Sequence, residues 1–256
     1  LDRYAEIKAT IYNGAANKIM PRDKGVLNYL KGCQSDISFG LNAPSDNNYG
    51  IINDETGRWL ACGERKIIQS SDLALLGETG ELNVLAALAL THNLINDESE
   101  AIAAIKNFKG LPHRCELIAE HDRVSWIDDS KGTNVGATVS AIEGLNQSLI
   151  LIVGGVFKGG LLEELCAAVR NKVSHVIVFG QDKQIFIDAL NDHVDVKQVN
   201  SLGECVELAY QLAQSGQAVL FSPACASFDM FSNYIERGNA FKAEVLARIN
   251  GELDDR

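Results

Sequence analysis

The sequence has no apolar run approaching the roughly 20 residues that a membrane-crossing helix needs. Its opening residues, Leu1-Asp2-Arg3-Tyr4, carry no basic n-region and no apolar h-region, so they do not read as a signal peptide. They also lack an initiator Met, and sequence upstream of Leu1 is expected. Basic residues are outnumbered, 23 Lys and Arg against 34 Asp and Glu, and a net charge of −11 argues against a protein that lives on nucleic acid or anionic lipid. It leaves an anionic substrate open, because a few local cations can hold one inside an acidic protein. The six cysteines form no CxxC pair, which disfavours zinc and dithiol chemistry. Most lie in apolar runs, so free buried thiols in a reducing compartment, the cytoplasm, are expected. No internal repeat and no low-complexity tract is present.

What is there reads as two domains in a chain of 256 residues, divided at 1–111 and 112–256. Residues 1–18 are expected to form a helix with Ile7, Ile11 and Ala15 on one face. Short β-rich pieces follow (Val26–Leu27, Ile37–Phe39, Tyr49–Ile52, Trp59–Ala61, Lys66–Ile68), broken by turn clusters such as "NAPSDNN". They predict a small antiparallel sheet. Asn83–Leu94 reads as a nearly all-apolar helix and Glu98–Phe108 as a second. "GLPHR" (Gly110–Arg114) breaks the helical pattern and marks the domain boundary. Beyond it, apolar strands alternate with amphipathic helices: 125–128 then 135–145, 149–153 then 161–171, 175–179 then 183–191, 196–199 then 203–215, and 218–221 then 232–249. That rhythm predicts a mostly parallel, Rossmann-like sheet covered on both faces, so the fold class is α/β.

Ligands of such sheets bind at the carboxyl ends of the strands. Three strand-to-helix loops stand out. In "WIDDSKGTNVGAT" the first strand ends in two aspartates followed by Ser130, Lys131, Thr133 and Asn134. A carboxylate, an ammonium and two hydroxyls at a helix N-terminus suit a phosphate or a substrate carboxylate. The same residues also read as a well-capped helix with Asp129 or Thr133 as the cap. "LIVGGVFKGG" places Lys158 among glycines that let backbone approach a ligand, or make a plain tight turn. "LFSPACASFDMFSNYIERGNAFK" packs small residues and Ser227 at a strand end. Its Cys225 reads as a small buried hydrophobe rather than a nucleophile, since no His lies nearby in sequence to activate it.

Taken in order, these three loops resemble those of the Mur ligase family, ATP-dependent amide ligases of cell-wall synthesis, and in particular its D-glutamate-adding branch. "GLPHR", "LDRY" with "IKATIY", and "NVLAALAL" resemble further parts of the same family. The resemblance implies the end of a central ATP-binding domain followed by a C-terminal amino-acid-binding domain. It implies ATP and Mg2+ as cofactors, and UDP-N-acetylmuramoyl-L-alanine and D-glutamate as substrates joined through an acyl phosphate. It also implies a cytoplasmic, monomeric enzyme with no nucleic-acid partner and no membrane insertion. By resemblance, Lys8 is the lysine carbamylated to serve as a metal ligand, Asn83 faces the adenine, and Arg114, Asp129 and Lys131 face ATP. Thr133, Lys158, Ser227, Phe228 and Tyr234 surround D-glutamate, while Phe228 and Tyr234 also fit a core role. Lys8, Lys131 and Lys158 are the catalytic set.

The chain departs from the family in several places. The family's N-terminal uridine-nucleotide domain, its P-loop and the metal-binding His expected before Leu1 are not in the sequence. "GETGEL" (Gly77–Leu82) lacks the usual His-Asn pair, and "GGVFKGG" has Val156 and Phe157 where Asp-Gly is usual. Little or no ligase activity is therefore expected of these 256 residues alone. Three alternatives stay open. One is another amino-acid ligase of the superfamily, resembling folylpolyglutamate synthase. The second is a dinucleotide-binding module, although the required GxGxxG is missing. The third is a non-catalytic interaction fragment.

Overall fold

The computed structural model describes residues 2–22, 35–95 and 97–251. The chain divides into two compact units, Leu1–Lys109 and Gly110–Arg256.

The first unit begins with α1 (Asp2–Ala9) and a single 3-10 turn over Thr10–Tyr12. The expected helix over residues 1–18 is thus cut to half its length, ending ahead of Asn13 and the left-handed Gly14. The proposed strand at Val26–Leu27 lies outside the described residues. A five-stranded sheet runs β1 (Ile19–Pro21), β2 (Ile37–Phe39), β3 (Tyr49–Asp54), β4 (Gly57–Cys62) and β5 (Arg65–Gln69), in that spatial order. It is mixed rather than antiparallel throughout: β1, β2 and β3 pair in parallel, and only β3–β4 and β4–β5 form hairpins.

Helix α2 (Gly77–Leu90) buries Val84, Leu85, Leu88 and Ala89 against Tyr49, Ile51, Leu60 and Ile68 of the sheet. It starts six residues earlier than its apolar run suggested, so "GETGEL" forms its opening turns. Glu81, 5% exposed, is held there by Arg58 through Nε and Nη2 at 2.8 and 2.7 Å, and by the hydroxyl of Ser70. Helix α3 (Glu98–Asn107) is capped by Asp97, which accepts from Ser99 N at 2.8 Å.

The second unit is a six-stranded sheet in the order β10-β9-β8-β11-β7-β6. Its elements are β6 (Glu116–His121), β7 (Val124–Asp128), α4 (Val135–Gly144), β8 (Leu149–Gly154), α5 (Leu162–Lys172) and β9 (Val173–Phe179). Then follow α6 (Lys183–Leu190), β10 (Asp195–Gln198), α7 (Leu202–Leu212), β11 (Ala218–Phe221) and α8 (Tyr234–Ile249). Every residue of β7, β8 and β11 is buried, because helices cover both faces and leave no polar side to alternate. Trp126, Ile150, Ile152, Ile177, Phe179, Val219 and Phe221 point to one face, where they meet Cys205 and Val206 of α7 and Phe241 and Val245 of α8. Helices α4, α5 and α6 pack along one another in sequence.

All strand pairs are parallel except β6–β7. That hairpin turns through Asp122 and Arg123, both left-handed (φ 51° and 61°), the geometry that matches the strand twist. Strand β11, last in sequence, slots between β8 and β7 with Phe221 level with both Asp128 and Ile152. Three loops therefore leave the sheet at one level, side by side.

Candidate active site

The loop after β7 is built on two buried aspartates that face different partners. Asp128 Oδ2 lies 2.7 Å from His113 Nδ1, and its Oδ1 accepts from Ser130 N at 2.8 Å. Asp129 Oδ2 accepts from the Ser222 hydroxyl at 2.6 Å, and its Oδ1 accepts from Cys115 N at 3.3 Å. Burial disfavours the ionised form of both: Asp128 is raised above the ordinary carboxylate range, and Asp129 is pushed up to about 6. The Ser222 hydrogen bond and the nearby Arg114 charge oppose that shift at Asp129 without cancelling it.

The helix that follows is capped by Asn134, whose side chain accepts from Ala137 N at 3.0 Å. Neither Asp129 nor Thr133 is the cap, contrary to expectation. Asp129 is committed to Ser222, and Thr133 still belongs to the turn, its N donating to Lys131 O at 2.8 Å.

The three loops are stitched to each other. Asp129 N donates to Phe221 O at 2.8 Å, joining the β7 and β11 ends. Gly154 N donates to Pro223 O at 3.0 Å, and Val156 and Ala226 exchange two backbone hydrogen bonds of 2.9 Å, joining the β8 and β11 loops. Gly155 must be glycine: its φ is 129°, and a Cβ would stand 2.3 Å from Ala226 O. On this shared edge Lys131 Nζ sits 4.3 Å from the Tyr234 ring centroid, and Lys158 Nζ sits 5.7 Å from that of Phe228.

Asp129, Lys131, Thr133, Lys158, Ser227, Phe228 and Tyr234 are thus carried by neighbouring loops and the start of α8. Phe228 is 69% exposed, which removes the reading of it as a core aromatic. Arg114 is exposed, between His113 and Cys115 in left-handed conformations (φ 64° and 46°). Lys8 and Asn83 are both exposed in the first unit, Lys8 in the last turn of α1 and Asn83 on α2.

Sequence reasoning passed over His113, Ser222 and Arg237, although "PHR", "FSP" and "ERG" were each in view. Their partners lie 15, 93 and 107 residues away, so no local pattern announces them. Of the cysteines described, Cys205 and Cys225 are buried, whereas Cys62, Cys115 and Cys166 are only half-buried, fewer buried than expected. Burial pushes the Cys225 thiol up to about 12, consistent with a small hydrophobe. The described residues contain one trio of close metal-type side chains, His113, Glu116 and Asp128. Glu116 is already paired with Lys242 Nζ at 3.0 Å and Asp128 with His113, so the trio does not fit the oxygen-rich shell Mg2+ requires.

A parallel sheet whose central strands carry cations and hydroxyls at their carboxyl ends, with β11 sending its helix to the opposite face from those after β7 and β8, is a doubly wound ligand-binding domain. Residues 113–225 match the family described as Mur ligase, glutamate ligase domain. Over those residues the chain is similar to the glutamate ligase domain of Mur ligases.

Among curated relatives, the UDP-N-acetylmuramoylalanine–D-glutamate ligase of Methylobacillus flagellatus is 42% identical over 251 residues, covering 96% of this chain and 55% of the relative. The ligase of the same name from Hydrogenovibrio crunogenus is 42% identical over 262 residues, covering 99% and 58%. The chain therefore spans little more than half the length of these relatives. In fold it is similar to UDP-N-acetylmuramate–alanine ligase of Thermotoga maritima (TM-score 0.62, 16% identity, 96% of this chain and 55% of the other). It is also similar to a bifunctional folylpolyglutamate synthase/dihydrofolate synthase of Yersinia pestis solved with AMPPNP and a Mn ion (TM-score 0.64, 15% identity, 94% and 56%). No helix among the described residues is long and apolar enough to cross a membrane.

Proposed function

We propose that this chain is the amino-acid-binding and ATP-facing part of a cytoplasmic ligase that adds D-glutamate to UDP-N-acetylmuramoyl-L-alanine. In this reading the substrate's terminal carboxylate takes the γ-phosphoryl group of ATP, and ADP leaves. The amine of D-glutamate, having shed a proton, attacks the carbonyl carbon of the acyl phosphate. The tetrahedral intermediate collapses with loss of inorganic phosphate, leaving an amide.

Supporting the reading is the convergence of Lys131, Thr133, Lys158 and Ser227 on loops leaving β7, β8 and β11 at one level. The ammonium groups of Lys131 and Lys158 neutralise the substrate's carboxylates and the charge that grows on the leaving phosphate. The hydroxyls of Thr133 and Ser227 orient the amino acid so that its amine meets the activated carbon. Arg114 and Asp129 face the nucleotide, and Phe228 and Tyr234 hold the two lysines from below. Asn83 at the adenine, carbamylated Lys8, the Mg2+ requirement, the monomeric state and the assignment of 1–111 to a central ATP-binding domain rest on the family resemblance. Domain 112–256 carries the amino-acid site.

The test is ATP-dependent phosphate release by the intact protein that carries this chain, with UDP-N-acetylmuramoyl-L-alanine as acceptor. Release that requires D-glutamate and is not supported by L-glutamate is expected; equal use of both would overturn the assignment. The fold likeness to folylpolyglutamate synthase supports a second reading, which the same assay decides through L-glutamate transfer to a folate acceptor.

A further inference from the structure

Arg237, in the first turn of α8, is 1% exposed and is the largest buried cation of the described residues. Its Nε donates to the Ser130 hydroxyl at 3.1 Å, and its Nη2 donates to the carbonyls of Ser130 at 2.9 Å and Cys225 at 3.1 Å. The third nitrogen, Nη1, is buried with no hydrogen-bond partner in the protein. It lies beneath Gly155, where a Cβ would stand 3.3 Å from it. One planar fork therefore reaches the loops after β7, β11 and β8.

The two carbonyls it holds belong to the peptide groups that lead into the site. The Ser130–Lys131 peptide is gripped at both ends, its carbonyl by Arg237 and its N–H by His113 O at 3.0 Å. The Cys225–Ala226 peptide is gripped in the same way, its carbonyl by Arg237 and its N–H by Val156 O at 2.9 Å. A buried guanidinium is retained only where several acceptors and negative charges compensate it. Here two carbonyls, a hydroxyl and the surrounding Asp128, Asp129 and Asp229 do so.

We propose that Arg237 is a positioning residue that sets the three strand-end loops in register, so that Lys131, Ser227 and Lys158 face a single amino-acid substrate. The proposal rests on the D-glutamate site described above and gives that site its support. A lysine at 237 keeps the charge but is a point donor, unable to span two carbonyls with a fixed fork.

The test has two arms. In the 256-residue chain, amide hydrogen exchange is followed in Arg237→Lys. Exchange about tenfold faster or more, the loss of a charge-assisted hydrogen bond, is expected at Lys131, Val156 and Ala226, with β9 and α6 unchanged. Unchanged exchange at those three amides, or a uniform rise across the second unit, overturns the proposal.

In the intact ligase, Arg237→Ala is expected to raise KM for D-glutamate about tenfold or more while leaving KM for ATP within about twofold, and added guanidinium ion is expected to restore it. Loss in kcat alone with no rescue contradicts the proposal. If Arg237→Ala does not fold, Arg237→Lys carries both arms. Should the wild type prove not to use D-glutamate, the assigned substrate fails while the exchange arm still decides the role of Arg237.

Discussion

His113 Nδ1 and Asp128 Oδ2 lie 2.7 Å apart, both nearly excluded from solvent, directly beneath the backbone of Gly238 in α8. With Asp128 ionised, that distance places the proton on Nδ1. The pair ties the start of the second unit to the carboxyl end of β7, and the His113 carbonyl passes the tie on to Lys131 N.

Gly238 is required by space. A Cβ there would stand 2.2 Å from His113 Nδ1 and 2.8 Å from Asp128 Oδ2. Gly238→Ala is expected to destabilise the chain by roughly 3 kcal/mol, the upper end of the cost of overpacking. Gly136, also helical, has only an ordinary 3.6 Å contact to Asn134 Oδ1. Gly136→Ala is therefore expected to stabilise by about 0.5–1 kcal/mol. Urea midpoints of the two variants check the contrast.

In the first unit, Glu81 is buried and Arg58 is about one-third exposed on its side chain (34%). Glu81→Gln leaves the guanidinium without its bidentate carboxylate and Ser70 with a weaker acceptor. A loss of roughly 2 kcal/mol is expected, below the range for a fully buried pair because water reaches Arg58. Thermal unfolding measures it, and Arg65→Ala, whose pair with Glu98 is exposed on both sides, is expected to change stability by no more than about 0.5 kcal/mol.

The pH dependence follows from Asp129. Its carboxyl titrates in the folded chain at about 6, above its ordinary value of 3.8. A raised folded value means that the protonated form favours folding, so this contribution is complete below pH 3.8 and is lost as pH rises through about 6. Between these values stability should fall, and the fall should be smaller in Asp129→Asn. Two parallel stability–pH curves would contradict the burial argument. For the proposed ligase, a role of Asp129 as an anion facing the nucleotide predicts activity falling below about pH 6.

Cys205 and Cys225 are buried with thiols raised by desolvation. Both should resist iodoacetamide in the folded chain and react only on unfolding. Mass-spectrometric mapping of the labelled positions gives the answer, and native labelling of Cys225 would restore the nucleophile reading.

The strands and helices from β7 onward were legible in the sequence because β8 and β11 are buried on both faces and read as unbroken apolar runs, and Trp126-Ile127 marks β7 just ahead of its aspartates. Strand β6 was not: it lies on the sheet edge, where exposed Leu117 and Glu120 blur any alternation. The start of α2 was hidden because Gly77, Thr79 and Gly80 are poor helix formers that tertiary packing overrides, Gly80 lying so close to Leu75 that a Cβ would approach its Cβ to 2.8 Å. Lys131, Thr133, Lys158 and Ser227 were picked out by their place at strand ends and by the family resemblance, and they lie on the neighbouring loops after β7, β8 and β11. What held them was not legible. The contacts of Asp128 with His113 and of Arg237 with Ser130 exist only after the chain has closed on itself, and the true cap, Asn134, was fixed by where the β7 loop finishes its turn.

The proposed amino-acid site lies at the ends of β7, β8 and β11. The most direct measurement titrates the 256-residue chain with D-glutamate and follows backbone amide resonances. Shifts grouped at residues 131–134, 155–158 and 225–228 are expected, larger with D- than with L-glutamate and lost in Lys131→Met. Shifts scattered over the surface, or grouped in the first unit, would contradict the proposed site.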